Sequence, residues 1–64
     1  MEVVRACIYP KDIQLITGKS ERYGRQLLTK IKSHFNKEQH QYITLEEFSE
    51  YSGIDLETIK RYIN

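Results

Sequence analysis

Tryptophan is absent, and cysteine, proline and methionine each occur once in 64 residues. The lone cysteine, Cys7, excludes an internal disulfide framework and fits a reducing compartment. With one proline and three glycines, no collagen-like or low-complexity stretch is present. Long apolar runs are missing too, and none approaches the roughly 20 residues that span a bilayer. The run Ala6-Cys7-Ile8-Tyr9 is too short for the apolar region of a signal peptide. A soluble cytoplasmic protein with no membrane partner is the expectation. Excess charge of one sign is also lacking: ten basic residues face nine acidic ones, for a net charge of +1. Bulk charge therefore argues against strong non-specific nucleic-acid binding.

What remains is globular in composition, with 39% hydrophobic and 30% charged residues and five tyrosines among the aromatics. The length allows one domain, residues 1–64, which buries only ~60% of the surface its unfolded chain exposes. It cannot wall a large catalytic cleft and keep a core. The charge is unevenly spread. Residues 1–32 hold seven basic side chains against three acidic, and residues 33–64 hold three against six. The first half is thus the candidate for a phosphate-facing surface.

Glycine and apolar spacing organises the chain. Gly18 and Gly53 lie 35 positions apart, and at that offset Ile8 matches Ile43, Ile13 matches Phe48, Ile16 matches Tyr51, Ser20 matches Asp55 and Leu28 matches Ile63. Each half reads as an extended residue or two, a short helix, a glycine turn and a second helix. Pro10 suits a first helical position. Thr44 and Glu47 form a capping box, Ser20 and Asp55 are N-cap residues, and both glycines suit a left-handed C-cap. Helices are predicted at about 10–17, 20–35, 44–52 and 55–63. The fold expected is mainly α: four short helices in two helix-turn-helix-like units, residues 10–35 and 44–63. An apolar arm, residues 1–9, precedes them, and a polar connection, residues 36–43, joins them. A minimal two-stranded pairing between Cys7–Tyr9 and Tyr42–Thr44 is open to the chain, though weak on its own.

Helical periodicity assigns the faces. The predicted core takes Ile13 and Ile16, with Leu15 at the edge, from the first helix and Tyr23, Leu27, Leu28, Ile31 and Phe35 from the second. The third contributes Leu45, Phe48 and Tyr51, and the fourth Leu56, Ile59, Tyr62 and Ile63. Opposite the second helix's stripe lie Arg22, Arg25, Gln26, Thr29 and Lys32. Such a face can donate to phosphates, and Arg and Gln can read purine edges bidentately. It is equally the composition of an ordinary solvated face.

The stretches from Pro10 to Ile31 and from Leu45 to Ile63 each resemble the helix-turn-helix of small bacterial regulators and excisionase-like proteins. Together they cover about two-thirds of the chain, and the motif is degenerate. The second carries the pattern's small residue at Ser49, its turn glycine at Gly53, and apolar residues at Ile54, Ile59 and Tyr62. The first departs from it: Gln14 replaces a small residue, and Lys19 and Gly24 replace apolar ones. By this measure the second unit is the better packed and the first the better charged. The resemblance implies that one helix braces against a DNA backbone while the next enters the major groove. On that reading Arg25 and Gln26 probe base edges, Lys19, Arg22, Thr29 and Lys32 hold phosphates, and Ser20 fixes the helix start.

Other motifs lead elsewhere. Asn36 to Phe48 looks like an EF-hand loop, with Asn36, Glu38 and Glu47 at ligand positions, but His40 and Gln41 replace an oxygen ligand and the turn glycine. Cys7, His34 and His40 lack zinc-site spacing. No nucleophile elbow, phosphate loop or forced acid pair points to catalysis. The reading is non-enzymatic, with no metal, cofactor or small-molecule substrate. The arm, Val3-Val4 with Ile8-Tyr9, suggests a homodimer, because a core this small gains from association. The competing class is a protein-interaction module using that arm or the acidic residues Glu46, Glu50 and Glu57.

Overall fold

The computed structural model describes residues 6–63. Four helices follow one another: α1 (Pro10–Thr17), α2 (Glu21–His34), α3 (Leu45–Ser52) and α4 (Leu56–Tyr62). The protein is mainly helical, and the predicted boundaries hold to within about one residue. Val3 and Val4 of the arm lie outside the described residues, as does Asn64.

The 35-residue repeat is reproduced bond by bond at the helix ends. Gly18 and Gly53 both adopt the left-handed conformation, with φ of 76° and 78°. Each donates its N–H to the carbonyl four residues back, Gln14 and Ser49 respectively, at 2.9 Å. The N–H of Lys19 reaches Thr17 Oγ1 at 3.2 Å, as that of Ile54 reaches Ser52 Oγ at 3.1 Å. At the helix starts, Asp12 Oδ2 accepts from the Tyr9 N–H at 2.8 Å, and Glu47 Oε1 accepts from the Thr44 N–H at 2.9 Å. Thr44 completes its box by accepting from the Glu47 N–H at 3.1 Å. Ser20 accepts from Tyr23 N–H at 3.1 Å, whereas Asp55, expected to do the same for α4, makes no side-chain cap bond.

The halves meet along extended backbone. Cys7 and Thr44 form an antiparallel bridge, flanked by Ile8 N–H to Ile43 O at 3.0 Å and Leu45 N–H to Ala6 O at 2.9 Å. In this register Ile8 faces Ile43, its own counterpart in the repeat, and Tyr9 faces Tyr42. Strand alternation sends the two isoleucines inward and the two tyrosines outward. One cluster results: Ile8, Ile13, Ile31, Ile43, Leu45, Phe48, Ile59 and Ile63 are buried, with Ile16, Leu27, Leu28, Phe35, Ile54 and Leu56 packed against them.

Three expectations change. Tyr23, Tyr51 and Tyr62, assigned to the core, are 37–49% exposed; their amphipathic rings rim the cluster while isoleucine, leucine and phenylalanine fill it. Ile8, assigned to an unsatisfied arm, is buried in its own core, which removes it from any dimer surface. The first helical pair, not the second, has the more extensive packing. Its reason is Gly24, which is buried: a Cβ there would stand 2.6 Å from the Pro10 carbonyl oxygen. The missing side chain lets α2 lie directly on the start of α1, where the second half uses the buried Ile59.

Candidate nucleic-acid interface

The turn between α1 and α2 consists of Gly18, Lys19 and Ser20, the length of a helix-turn-helix connection. Gly18 reverses the chain, Ser20 starts α2, and Gly24 seats it. Glu21 in the first turn and Lys32 and His34 in the last complement the helix dipole. With 14 residues, α2 is the longest helix described.

Its outer face carries the expected residues. Arg22, Arg25, Gln26 and Thr29 are exposed, and Lys30 is exposed beside them. Arg25 pairs loosely with Glu21 at 3.5 Å, one turn away. At such exposure the pair holds the guanidinium weakly. The Thr29 hydroxyl donates to Arg25 O at 3.1 Å, so its oxygen remains an acceptor while its proton is used inside the helix. Lys19 sits on the turn with its ammonium 5.6 Å from the centre of the Tyr23 ring. Lys32 differs from the others: it is half-buried, and its ammonium donates to Gln39 O at 2.9 Å. It is anchored to the connection rather than extended.

That connection is built by a Schellman ending to α2. Asn36 takes a left-handed conformation, φ 58°, with Asn36 N–H to Ser33 O at 3.2 Å and Lys37 N–H to Lys32 O at 2.8 Å. Asn36 therefore ends a helix where the EF-hand likeness would make it a ligand. Lys37 then donates to Tyr42 O and meets Glu47 Oε1, each at 2.9 Å. Partial burial of Glu47 pushes its carboxyl up. The Thr44 N–H, the Lys37 ammonium and the Thr44 hydroxyl outweigh that and hold it below the usual carboxylate range. His34 packs edge-on to Phe35 and Tyr51, with ring centroids 4.8 and 5.2 Å away. Among the described residues no three of His, Cys, Asp and Glu gather into a metal-binding group, and no helix is long and apolar enough to cross a membrane.

Beside the outer face of α2 runs a groove of about 340 Å³ that periodicity did not reveal. Arg25, Thr29 and Lys32 form its α2 wall, and Tyr9 and Tyr42 stand opposite. The two rings meet edge to face at 6.4 Å and 88°. The signal for this pair lay in the repeat itself: aligning Ile8 with Ile43 in antiparallel register places Tyr9 against Tyr42.

On the second unit, Glu46, Glu50 and Glu57 are exposed, as are Lys60 and Arg61. The Ser49 hydroxyl donates to Ile54 O at 2.6 Å, closing that turn. This surface is of mixed charge on a helix half as long as α2. Comparison with known protein families, curated proteins and solved structures gave no match.

Proposed function

We propose that this chain is a small, non-enzymatic DNA-binding protein, a regulator or excisionase-like accessory factor, that presents α2 to the major groove. The observation that carries this reading is the outer face of α2, where Arg22, Arg25 and Gln26 stand exposed together on a helix seated behind a three-residue glycine turn. Arg25 and Gln26 have the donor and acceptor groups to read purine edges. Lys19 and Arg22 supply phosphate contacts, Thr29 supplies an acceptor oxygen, and Lys32 contributes charge from a fixed position.

Fluorescence anisotropy of a labelled random-sequence duplex, at 50 and 200 mM salt, tests it. Each neutralised phosphate adds a slope of about 0.9 in log affinity against log salt, so three contacts weaken binding about 40-fold over that range. Arg22→Ala combined with Arg25→Ala is expected to abolish binding and leave the helical circular-dichroism signal intact, because only an exposed, loose ion pair is lost. Unchanged affinity in the double variant eliminates α2 as the contact. Absence of binding at ~100 μM in the lower salt, looser than typical non-specific affinity, leaves the exposed acidic residues Glu46, Glu50 and Glu57 as the surface to test against a protein partner.

A further inference from the structure

The groove between α2 and the Tyr9–Tyr42 pair has a composition that duplex backbone alone does not require. Its α2 wall supplies two cations, Arg25 and Lys32, and its far wall supplies an aromatic platform. Tyr42 is 64% exposed, so its ring offers a face to solvent even while it meets Tyr9. A second depression continues from the first, sharing Thr29 and Lys32 and adding Ser33, Lys37 and Gln39. No carboxylate among the described residues lines either one, although Glu21 lies 3.5 Å from Arg25 and Glu47 2.9 Å from Lys37. Ile8, Pro10, Leu28 and Ile43 form an apolar floor between the cations and the rings of the first depression, so the lining changes along its length from apolar, aromatic and cationic to polar and cationic. A ligand that matches it has a planar ring at one end and an anion within a few ångströms of it. Volumes of this size lie at the lower end of ligand clefts, which suits one monomer unit rather than an extended molecule.

We propose that this groove holds one unpaired nucleotide of a DNA strand, its base stacked on Tyr42 and its phosphate on Lys32. The assignment rests on the duplex-binding reading of α2, since Arg25, Thr29 and Lys32 belong to both surfaces and place the groove at the edge of a bound duplex. Stacking on an exposed aromatic tolerates any base, and it strengthens beside cations that track the backbone. The protein accordingly favours duplex ends or junctions that carry a short single strand over fully paired DNA.

The test compares three probes by anisotropy and tyrosine fluorescence: a blunt duplex, the same duplex with a three-nucleotide thymidine overhang, and free thymidine monophosphate. The overhang is expected to tighten binding about tenfold relative to the blunt form, the scale of one base–aromatic stack. Tyr42→Ala is expected to reduce that ratio to about one, whereas Tyr42→Phe, which keeps the ring, retains it. A ratio of one in the unmodified protein, or a tenfold ratio that survives Tyr42→Ala, overturns the proposal. Tight binding of the free monophosphate, with no gain from the overhang, overturns the strand as the source. Loss of blunt-duplex binding with a retained, Tyr42-dependent affinity for the overhang strand supports the groove and removes the duplex reading of α2. Binding of none of the probes removes both.

Discussion

Gly24→Ala separates backbone propensity from packing at the point that seats α2. In a helix interior alanine is favoured over glycine by about 1 kcal/mol, so if Gly24 stood free the substitution would stabilise the protein. It does not stand free. The added Cβ would lie 2.6 Å from Pro10 O, 3.2 Å from Pro10 Cα and 3.3 Å from Pro10 C. All three are backbone atoms at the first residue of α1, so no side chain can swing aside and the helices must separate. Overpacking of this kind costs about 1–3 kcal/mol, and contact with rigid backbone puts it near the upper end. Subtracting the propensity gain leaves a net loss of about 2 kcal/mol, against a total stability of about 3–10 kcal/mol for a chain this size.

At about 4–8 °C per kcal/mol for so small a domain, thermal melts followed by circular dichroism should show Tm lowered by about 10 °C. Lys30→Gly, on the exposed face of the same helix, is the companion: it should lose about 1 kcal/mol through propensity alone. The reasoning is refuted if Gly24→Ala melts at or above the unmodified protein while Lys30→Gly melts below it. That pattern would mean propensity governs both sites and α2 does not rest on Pro10. Lifting α2 also moves Arg25 away from Tyr9 and Tyr42. The folded fraction of Gly24→Ala should accordingly lose the preference for an overhang before it loses duplex binding.

Other outcomes follow from the caps, the ion pair and the core. Ser20→Ala should cost about 1 kcal/mol in urea denaturation, since a cap bond to Tyr23 N–H is lost; Asp55→Ala, with no side-chain cap bond to lose, should cost distinctly less. The Glu47 carboxyl is held below its ordinary range in the folded state, so its contribution is complete above the ordinary carboxylate pKa and disappears as pH falls through the folded value. Urea midpoints should therefore fall more steeply between about pH 5 and pH 2 in the unmodified protein than in Glu47→Gln. Phe48→Ala removes a fully buried ring at about 3–5 kcal/mol, enough to unfold much of the population at 37 °C, whereas Leu15→Ala, at a residue 57% exposed, should remain within about 0.5 kcal/mol.

Helix boundaries were legible because their signals are local. A glycine that must take positive φ, a serine or threonine that accepts from a backbone N–H three residues on, and a proline at a first turn all act within one or two turns of chain. Periodicity identified Ile13, Ile31, Ile59, Ile63 and Phe48 for the same reason, whereas the buried Ile8 and Ile43, outside the helices, were assigned to the arm and to the polar connection. It overreached at Tyr23, Tyr51 and Tyr62, since a stripe about 100° wide on each of four short helices exceeds what a cluster of eight buried residues can cover. Of the candidate site, Arg22, Arg25, Gln26 and Thr29 are exposed on one face as the spacing required. The anchoring of Lys32 to Gln39, seven residues away through a Schellman turn, was not readable, nor was the groove. Both depend on where the connection returns, and no residue pattern within one helix encodes that. Gly24 is the instructive case. By sequence it breaks the helix-turn-helix pattern and weakens the first unit; by structure the missing Cβ is what lets α2 rest on the Pro10 backbone.

The repeat also explains why the two halves present different surfaces. The two units share helix starts and glycine stops at a constant offset, though Ser20 caps α2 and Asp55 makes no cap bond to α4, so each could in principle present its second helix outward. They diverge from the fourth residue of that helix. In the second unit Ile59 fills the core and α4 ends after 7 residues, about 10 Å of helix at 1.5 Å per residue. In the first, Gly24 brings α2 down onto α1, and the helix runs on to 14 residues, about 21 Å. The added turns contain Thr29, Lys30, Lys32 and Ser33; Lys30 and Lys32 carry the basic residues onward, and Thr29, Lys32 and Ser33 line the groove and its continuation. The Schellman ending at Asn36 sets the length of α2. A phosphate-binding face needs several cations along one line. Among the described helices α2 carries such cations while burying Ile31 beneath.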